Sequence, residues 1–231
     1  MISWEKLPDS MKNNAIYPYY ESLEHKKAQI LWKRILDFAG AFVLTVLLSP
    51  VMLLIALGIK LDTKGPVFYR QNRVTQYGKV YRIFKFRTMV KGADQEGPLV
   101  TVSEDRRVTR MGKILRKCRL DELPQLFNIL TGEMSFVGTR PEVEKYVAQY
   151  SEEMLATLLL PAGITSCASI LFKDEDELIS TYQCKTGKSA DEIYVEYILP
   201  QKMKYNLRYI QEFGIWRDLK LMVRTVAAVL R

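Results

Sequence analysis

The longest run of apolar residues in the chain covers residues 38–59, 22 positions without a charge. As a helix this run is roughly 33 Å long, which is enough to cross the hydrocarbon core of a bilayer. Buried helices of globular proteins are rarely this long and apolar on every side. The pattern therefore predicts a membrane helix, which we assign to residues 33–60, between an N-terminal extension at 1–32 and one globular domain at 61–231.

Ser49 and Pro50 lie at the middle of the apolar run. Proline removes a backbone donor and favours a bend, and the Ser49 hydroxyl can satisfy a carbonyl that the bend releases. Basic residues flank the run at both ends: Lys26, Lys27, Lys33, Arg34, Lys60 and Lys64. Under the positive-inside rule, this pattern fits a re-entrant helix that enters one leaflet, turns at Ser49-Pro50 and returns. A helix that simply spans the bilayer is the alternative.

The rest of the chain predicts an α+β fold that is mostly helical. Strand-forming residues at 67–74 and 80–86, separated by Gln76-Tyr77-Gly78-Lys79, predict a small β-hairpin. A loop is expected at 91–104, followed by a basic helix up to residue 119 and another helix from about 120, with Pro124 in its first turn. We expect a short strand at 135–137, a helix from 141 towards 160, and further helices in the remainder.

The two ends of the chain carry their own patterns. The segment Tyr17-Pro18-Tyr19-Tyr20 predicts a turn or extended piece, with a helix to follow at residues 22–33. At the other end, helical periodicity at 216–230 brings one apolar face together, made of Trp216, Leu219, Val223, Val226 and Leu230. A basic amphipathic helix of this kind either lies at the membrane interface or packs on the core. We assign no chemistry to the N-terminal extension.

Charge and composition narrow the chemistry. The chain has 34 Lys and Arg residues against 26 Asp and Glu, a net charge of +8 that indicates an anionic partner. Nucleic acid is disfavoured because the charge is dispersed and no zinc-finger, RRM or helix-turn-helix signature is present. The single histidine, His25, excludes histidine triads, and three cysteines form neither a disulfide framework nor a CxxC metal site. Acid-base or nucleophilic work must therefore fall to carboxylates, lysines or tyrosines.

The adjacent carboxylates Asp121 and Glu122, close to Arg116 and followed by Arg140, are the candidate reactive group. On a regular helix neighbouring residues point about 100° apart, so the two can divide the work: one as a nucleophile on phosphorus, the other as a ligand to a divalent cation. Mg²⁺ suits such a site because it binds few carboxylates together with substrate phosphates. The two arginines could bind phosphate oxygens bidentately. On spacing alone, a solvated start of a helix remains the ordinary alternative.

Five segments in order carry a resemblance to a known family. They are Lys33-Arg34-Ile35-Leu36-Asp37, Gly65-Pro66-Val67-Phe68-Tyr69-Arg70-Gln71, Phe84-Lys85-Phe86-Arg87-Thr88-Met89, residues 120–125 and residues 132–141. From about Lys33 to its end, the chain resembles the bacterial sugar transferases, the monotopic polyprenyl-phosphate phosphoglycosyl transferases.

The resemblance implies a specific reaction. A phospho-sugar would move from a UDP-sugar to undecaprenyl phosphate with release of UMP, as the first membrane step of exopolysaccharide, O-antigen or glycoprotein glycan assembly. Asp121 would be the nucleophile and Glu122 would hold Mg²⁺. Arg116, Arg140, Lys85 and Arg87 match the family's basic residues near the phosphates, and Ser49-Pro50 matches its re-entrant helix break. The catalytic domain at 61–231 would face the cytoplasm from the bacterial inner membrane, with amphipathic helices at the interface.

The resemblance has limits. The loop from Pro161 to Ala168 departs from the family's usual Pro-Gly-Ile-Thr-Gly pattern, so the sugar is not assigned. The glycan pathway and the oligomeric state are not assigned either. Two other functions stay open at this point. One is a non-catalytic membrane protein that recruits later glycosyltransferases of a glycan pathway. The other is a glycosyltransferase that releases UDP.

Overall fold

The computed structural model describes residues 1–93 and 105–229, so most of the predicted 91–104 loop and residue 230 lie outside the described residues. The predicted α+β, mostly helical class is confirmed. The strands are β1 (Phe68–Val74), β2 (Val80–Phe86), β3 (Met134–Val137) and β4 (Ala162–Thr165). The helices are α1 (Tyr17–Glu24), α2 (Lys27–Asp62), α3 (Arg110–Lys117), α4 (Gln125–Leu130), α5 (Glu144–Val147), α6 (Cys167–Leu171), α7 (Glu175–Thr186), α8 (Ala190–Ile193), α9 (Leu199–Gln211) and α10 (Ile215–Val229).

The apolar run forms the central part of α2, a helix of 36 residues that is long and apolar enough to cross a membrane. Its buried positions form one stripe at three- to four-residue spacing in each half: Lys33, Asp37, Ala41, Met52, Ile55 and Ile59. The other faces expose large apolar side chains, among them Phe42, Leu47 and Leu53. The globular domain therefore packs along α2 from its first turns to its last, and leaves an apolar surface uncovered.

Helical structure continues through Pro50, so the membrane helix break predicted at Ser49 and Pro50 does not interrupt α2. Pro50 lacks the N–H that would bond the carbonyl of Val46. As the sequence predicts, the Ser49 hydroxyl donates to that carbonyl instead, at 2.8 Å. The local cost of the proline is thereby reduced. Re-entry itself stays a prediction.

The predicted hairpin is confirmed, with β1 and β2 antiparallel from Phe68 opposite Phe86 to Val74 opposite Val80. Asn128 of α4 holds the second strand in place. Its side-chain oxygen accepts from the backbone N–H of Phe84 at 2.8 Å, and its amide donates to the carbonyl of Arg82 at 3.1 Å. Because these bonds bracket the middle of β2, they fix the strand that carries Lys85.

The helix predicted from residue 141 towards 160 is wrong. The structure has the four-residue α5, a separate 3₁₀ segment at Met154–Leu159, and then β4, which pairs in parallel with β3. Leu158 and Leu159 of the 3₁₀ segment are buried in the main hydrophobic cluster. Burial on this cluster and pairing of two strands far apart in sequence override the local helical pattern.

The N-terminal extension is part of the main hydrophobic core. Its buried side chains pack with those of α9 and the 3₁₀ segment: Leu7, Met11, Ile16, Tyr19, Tyr20 and Leu23. The expectation of a turn or extended piece at residues 17–20 is wrong, because Tyr17 starts α1 and Pro18 occupies the first helical turn, where its missing N–H costs nothing. The domain boundary drawn at residue 32 therefore separates residues that share one core.

The amphipathic C-terminal segment forms α10, which carries a buried ion pair on one side and exposed apolar residues on the other. Asp218 of α10 contacts Lys33 of α2, with 2.7 Å between its Oδ2 and the lysine Nζ. Trp216, by contrast, is 85% exposed, and Val223 is 70% exposed. One side of α10 thus packs on the core, where Leu221 and Met222 contact the main hydrophobic cluster, and a position of its exposed face at the membrane interface stays a prediction.

Candidate active site

The acidic pair lies in a short 3₁₀ turn, Leu120–Glu122, rather than on a regular helix. Helix α3 ends at Lys117, and Arg119 adopts a left-handed backbone conformation with φ of 55°. Such a residue redirects the chain at the end of a helix. Asp121 and Glu122 are thereby turned into the domain and are both 8% exposed, which excludes the solvated start of a helix that spacing alone had left open.

Glu122 accepts from two cations. Its Oε1 lies 2.9 Å from Nζ of Lys85 on β2 and 3.1 Å from a guanidinium nitrogen of Arg140. Burial opposes ionisation of Glu122, but these two positive charges outweigh it and hold the pKa of this carboxyl well below its ordinary value. Burial lowers the pKa of Lys85, which the charge of Glu122 counteracts. Glu122 is therefore a fixed carboxylate at the centre of an ion-pair cluster.

Asp121 has the opposite environment. Within the described residues, no group donates a hydrogen bond to its carboxylate, although Lys85 and Arg116 are close enough to stabilise its charge. Burial raises the pKa of Asp121, and the negative charge of Glu122 raises it further, against the effect of the cations Lys85, Arg116 and Arg119. Desolvated and without a hydrogen-bond donor, this carboxylate is the one free to react.

Arg116 reaches the site because α3 packs tightly against the end of β2. A Cβ on Gly112 would lie 2.1 Å from the carbonyl oxygen of Thr88, so only glycine permits this approach. The Thr109 side chain caps α3 by accepting from the N–H of Gly112 at 2.9 Å. One turn later, Nε of Arg116 donates to the Thr88 hydroxyl at 2.9 Å, which orients the guanidinium.

Arg140 is positioned by the parallel strand pair. The Gly138 N–H donates to the carbonyl of Thr165 at 3.0 Å, and the Gly163 N–H donates to that of Thr139 at 2.9 Å. A Cβ on Gly163 would lie 2.1 Å from the nitrogen of Gly138, so the two backbones meet at a distance that no side chain allows. The loop that follows this contact carries Arg140 to Glu122.

Arg87 lines the same cavity but has structural partners of its own. Its guanidinium donates to the carbonyl of Thr63 at 2.8 Å, to the Thr63 hydroxyl at 2.7 Å and to the carbonyl of Lys64 at 3.3 Å. These bonds satisfy groups at the end of α2 and connect that end to β2. The role predicted for Arg87 in phosphate binding stays a prediction.

A cavity of about 1350 Å³ opens beside the acidic pair. It is lined by every residue predicted to act on the substrate: Asp121, Glu122, Lys85, Arg87, Arg116 and Arg140. Its wall also includes Leu44 and Leu48 of α2 and Thr225 of α10. The volume exceeds the roughly 300–1,000 Å³ of most small-molecule sites, which leaves room for two substrates. Ser49 and Pro50 do not line it.

The donor set fits a small hard cation that takes most of its ligands from elsewhere. No cluster of three or more acidic, histidine or cysteine side chains occurs among the described residues. Within the same residues, both cations contact Oε1 of Glu122 and no hydrogen bond reaches its Oε2. That oxygen is available to a cation, and Mg²⁺ usually takes one or two carboxylates together with phosphates and water.

Comparison with known proteins identifies the family of the chain. The family model described as "Bacterial sugar transferase" matches residues 28–231. The chain belongs to the bacterial sugar transferase family. The resemblance seen in the five sequence segments is thereby confirmed.

Three relatives in the bacterial sugar transferase family give the range of similarity. The chain is 35% identical to a UDP-N-acetylgalactosamine-undecaprenyl-phosphate N-acetylgalactosaminephosphotransferase of Aeromonas hydrophila, over 86% of this chain and 43% of the relative. It is 38% and 32% identical to UDP-glucose:undecaprenyl-phosphate glucose-1-phosphate transferases of Caulobacter vibrioides and Escherichia coli. These matches cover 87% and 94% of this chain, and 70% and 44% of the relatives. The chain thus spans less than half the length of two of the three.

Several residues around the site were not anticipated from the sequence. Asn128 holds β2, and a buried group of Glu142, Tyr194 and Lys202 also lines the cavity. Glu142 directly follows the Arg140-Pro141 segment, which was the only local sign of its role. Tyr194 and Lys202 lie more than 50 residues further along, in a helical region whose pattern indicates only a packed core.

Proposed function

We propose that this bacterial sugar transferase moves a sugar 1-phosphate from a UDP-sugar to undecaprenyl phosphate and releases UMP. The names of the Aeromonas, Caulobacter and Escherichia relatives support both substrates. The observation that carries the proposal is one cavity that joins a buried, desolvated Asp121 and its cations to Leu44 and Leu48 of the apolar helix. Such a site suits a polyanionic sugar nucleotide and a lipid phosphate together.

In the first half-reaction, the carboxylate of Asp121 attacks the β-phosphorus of the UDP-sugar. A bond forms between a carboxylate oxygen and phosphorus, and the bond from that phosphorus to the bridging oxygen breaks. UMP leaves with the electron pair, and the sugar phosphate remains on Asp121 as an acyl phosphate. Asp121 suits this role because no hydrogen bond from the described residues holds its carboxylate.

The cations supply the electrostatic stabilisation. Lys85 and Arg140 meet at Glu122, beside the reacting carboxylate, where they can bind the phosphate oxygens as charge shifts to the leaving group. Arg116, oriented by Thr88, approaches from α3. Glu122 holds these two cations in place. It does not react itself, because they neutralise its charge. Arg87 contributes positive charge from the end of β2.

Mg²⁺ is part of this proposal, with Oε2 of Glu122 as its protein ligand. When bound, the ion would neutralise charge on the diphosphate. The carboxylate of Glu122 would hold it at the site, since its ion pairs with Lys85 and Arg140 keep that side chain ionised and fixed in place.

In the second half-reaction, an oxygen of the polyprenyl phosphate attacks the phosphorus held on Asp121. The acyl phosphate bond breaks, the carboxylate is regenerated, and a polyprenyl diphosphate sugar leaves. The apolar wall at Leu44, Leu48 and Phe136 gives the lipid a side of the cavity that is continuous with the membrane helix. Release of UMP before the acceptor reacts predicts ping-pong kinetics.

We also propose that α2 attaches the protein to one leaflet of the inner membrane, with the domain on the cytoplasmic side. The domain packs on α2 from Lys33 to Ile59. If α2 spanned the bilayer as a straight rod, this contact would draw charged surface of the domain into the hydrocarbon core, at high cost. Re-entry or a shallow, in-plane position avoids that cost.

The test is the nucleotide product. Purified protein in detergent or nanodiscs would be incubated with Mg²⁺, undecaprenyl phosphate and each of a panel of UDP-sugars, and the nucleotide identified by chromatography. We expect UMP from at least one donor, and none after Asp121→Asn. Release of UDP would indicate an ordinary glycosyltransferase, and no release from any donor would favour a non-catalytic assembly protein. Full turnover by Asp121→Asn would exclude Asp121 as the nucleophile.

A further inference from the structure

A second buried polar cluster lies in the wall of the same cavity. Nζ of Lys202, whose side chain is 3% exposed, lies 2.7 Å from the hydroxyl of Tyr194 and 3.3 Å from Oε1 of Glu142. The Tyr194 hydroxyl in turn donates to Glu142. These three side chains come from α9, the helical segment before it and the loop after Arg140. They form a rigid unit, since each is buried and bonded to the others.

Glu175, the first residue of α7, pairs with Lys202, also lines the cavity and is more exposed than the other three side chains. Its Oε2 lies 3.0 Å from Nζ of Lys202, and its side chain is 27% exposed. No hydrogen bond from the described residues reaches its Oε1. One oxygen is therefore held by a buried ammonium, while the other is available to a ligand as a hydrogen-bond acceptor.

The charges divide the cavity into two regions. Around Asp121, the cations Lys85, Arg116 and Arg140 exceed the carboxylates and suit a diphosphate. At the second cluster, Glu142 and Glu175 share Lys202, a guanidinium nitrogen of Arg73 lies 3.9 Å from Oε2 of Glu142, and Arg140 lies near both carboxylates, so the positive charges there already have carboxylate partners. A UDP-sugar has the matching division, because its diphosphate is anionic and its sugar is neutral with many hydroxyl donors. A carboxylate oxygen repels the first and accepts from the second.

We propose that Glu175 accepts a hydrogen bond from a hydroxyl of the donor's sugar and thereby helps to determine which UDP-sugar the protein uses. Lys202, Tyr194 and Glu142 are positioning residues that hold this carboxylate in place. The inference rests on the proposed function, since it requires a UDP-sugar whose phosphates bind at Asp121. It assigns recognition of the sugar to α7, and not to the loop at 161–168 whose sequence differs from the usual family pattern.

The test compares Glu175→Gln with Glu144→Gln, a matched control at an exposed carboxylate of α5 that does not line the cavity. Glutamine can still accept from Lys202 through its carbonyl oxygen, so the fold is retained. Its amide then replaces the free acceptor with a donor. The wild type and both variants would be assayed by UMP release on the preferred UDP-sugar, on its mono-deoxy analogues and on other UDP-sugars. Inhibition by UDP, which lacks the sugar, would be measured alongside.

We expect Glu175→Gln to lower kcat/KM for the preferred donor by about tenfold or more, as is typical of a lost charged hydrogen bond. For one mono-deoxy analogue, the kcat/KM of the wild type should be lower than for the preferred donor by the same factor. The variant should show no further decrease in kcat/KM when this analogue replaces the preferred donor. Inhibition by UDP should stay within about twofold of wild type, and Glu144→Gln should behave as wild type. The inference would be overturned if Glu175→Gln lowered kcat/KM equally for every donor, weakened inhibition by UDP, or left kcat/KM unchanged for all donors. If the wild type releases UMP from no UDP-sugar, the proposed function itself fails and this inference falls with it.

Discussion

At the scale of single residues, two adjacent carboxylates of similar burial differ because of their partners. Glu122 accepts from Lys85 and Arg140, which lower its pKa, whereas burial raises the pKa of Asp121, for which no hydrogen-bond donor is found in the described residues. Environments that push neighbouring pKa values apart commonly assign different roles to the two groups. In the proposed reaction, they suit Glu122 to the role of an anchor and Asp121 to that of the nucleophile.

The two amide substitutions should therefore have opposite effects on stability. Asp121→Asn removes a buried charge that lacks a hydrogen bond, so we expect an unchanged or higher melting temperature together with lost activity. Glu122→Gln leaves Lys85 and Arg140 without their counter-charge and should cost roughly 3 kcal/mol of unfolding free energy. Thermal and denaturant melts of both variants would measure the difference. A larger loss for Asp121→Asn than for Glu122→Gln would contradict the assignment.

The raised pKa of Asp121 also predicts a pH dependence. The nucleophile must be ionised, so kcat/KM for the UDP-sugar should fall as the pH decreases through this pKa. The decrease should occur at a higher pH than for an ordinary aspartate, whose pKa is about 3.9. The effect on stability has the opposite sign. Because the folded state binds this proton more tightly than the unfolded chain, Asp121 favours folding as the pH falls and opposes it above its folded pKa. A pH–rate profile with an acid limb in the ordinary aspartate range would contradict the prediction.

At the scale of elements, close backbone contacts determine where the cations lie. Gly112 lets α3 approach Thr88, and Gly138, directly after β3, faces Gly163 near the start of β4. The sequence indicates a helix and a strand at these places, but not how closely they pack. Arg116 and Arg140 depend on that packing for their positions.

Gly112→Ala tests this dependence, because the expected change in stability is opposite to the usual one. In an isolated helix, replacing glycine by alanine stabilises the helix by about 1 kcal/mol. Here the added methyl would lie 2.1 Å from the Thr88 carbonyl, so we expect a loss of roughly 2 kcal/mol in unfolding free energy and reduced UMP release as Arg116 moves away. Lys113→Ala, at an exposed position of α3, serves as the control and should change neither. A stabilised and active Gly112→Ala would disprove the close contact.

At the scale of the whole molecule, one face of α2 is covered by the domain and the others remain apolar and exposed. The exposed residues of α10, among them Trp216 and Val223, add to this surface. The buried pair of Lys33 and Asp218 connects the two helices. The protein thus presents the candidate active-site cavity beside an apolar surface, an arrangement that suits the proposed chemistry at a membrane interface.

Attachment to one leaflet predicts that both ends of α2 are accessible from the same side. Single cysteines at Ala28 and Lys64, both exposed, would be placed in a variant whose three native cysteines are replaced, because two of those are also exposed. In inverted vesicles we expect a membrane-impermeant maleimide to label both positions, and in right-side-out spheroplasts to label neither. Labelling of the two positions from opposite sides would show that α2 spans the bilayer.

The sequence by itself determined the features that depend on local pattern: the apolar helix, the hairpin and the Asp121-Glu122 segment in its family context. The helix that the sequence pattern predicts at residues 141–160 is wrong, because pairing of β3 with β4 competes with helix formation there. Tertiary structure alone decided which carboxylate is held by cations, how the N-terminal residues join the core, and that Lys202 meets Glu142 and Glu175. The physical reason is distance along the chain: these contacts join residues tens of positions apart, and their energies come from burial and charge pairing that no local pattern encodes.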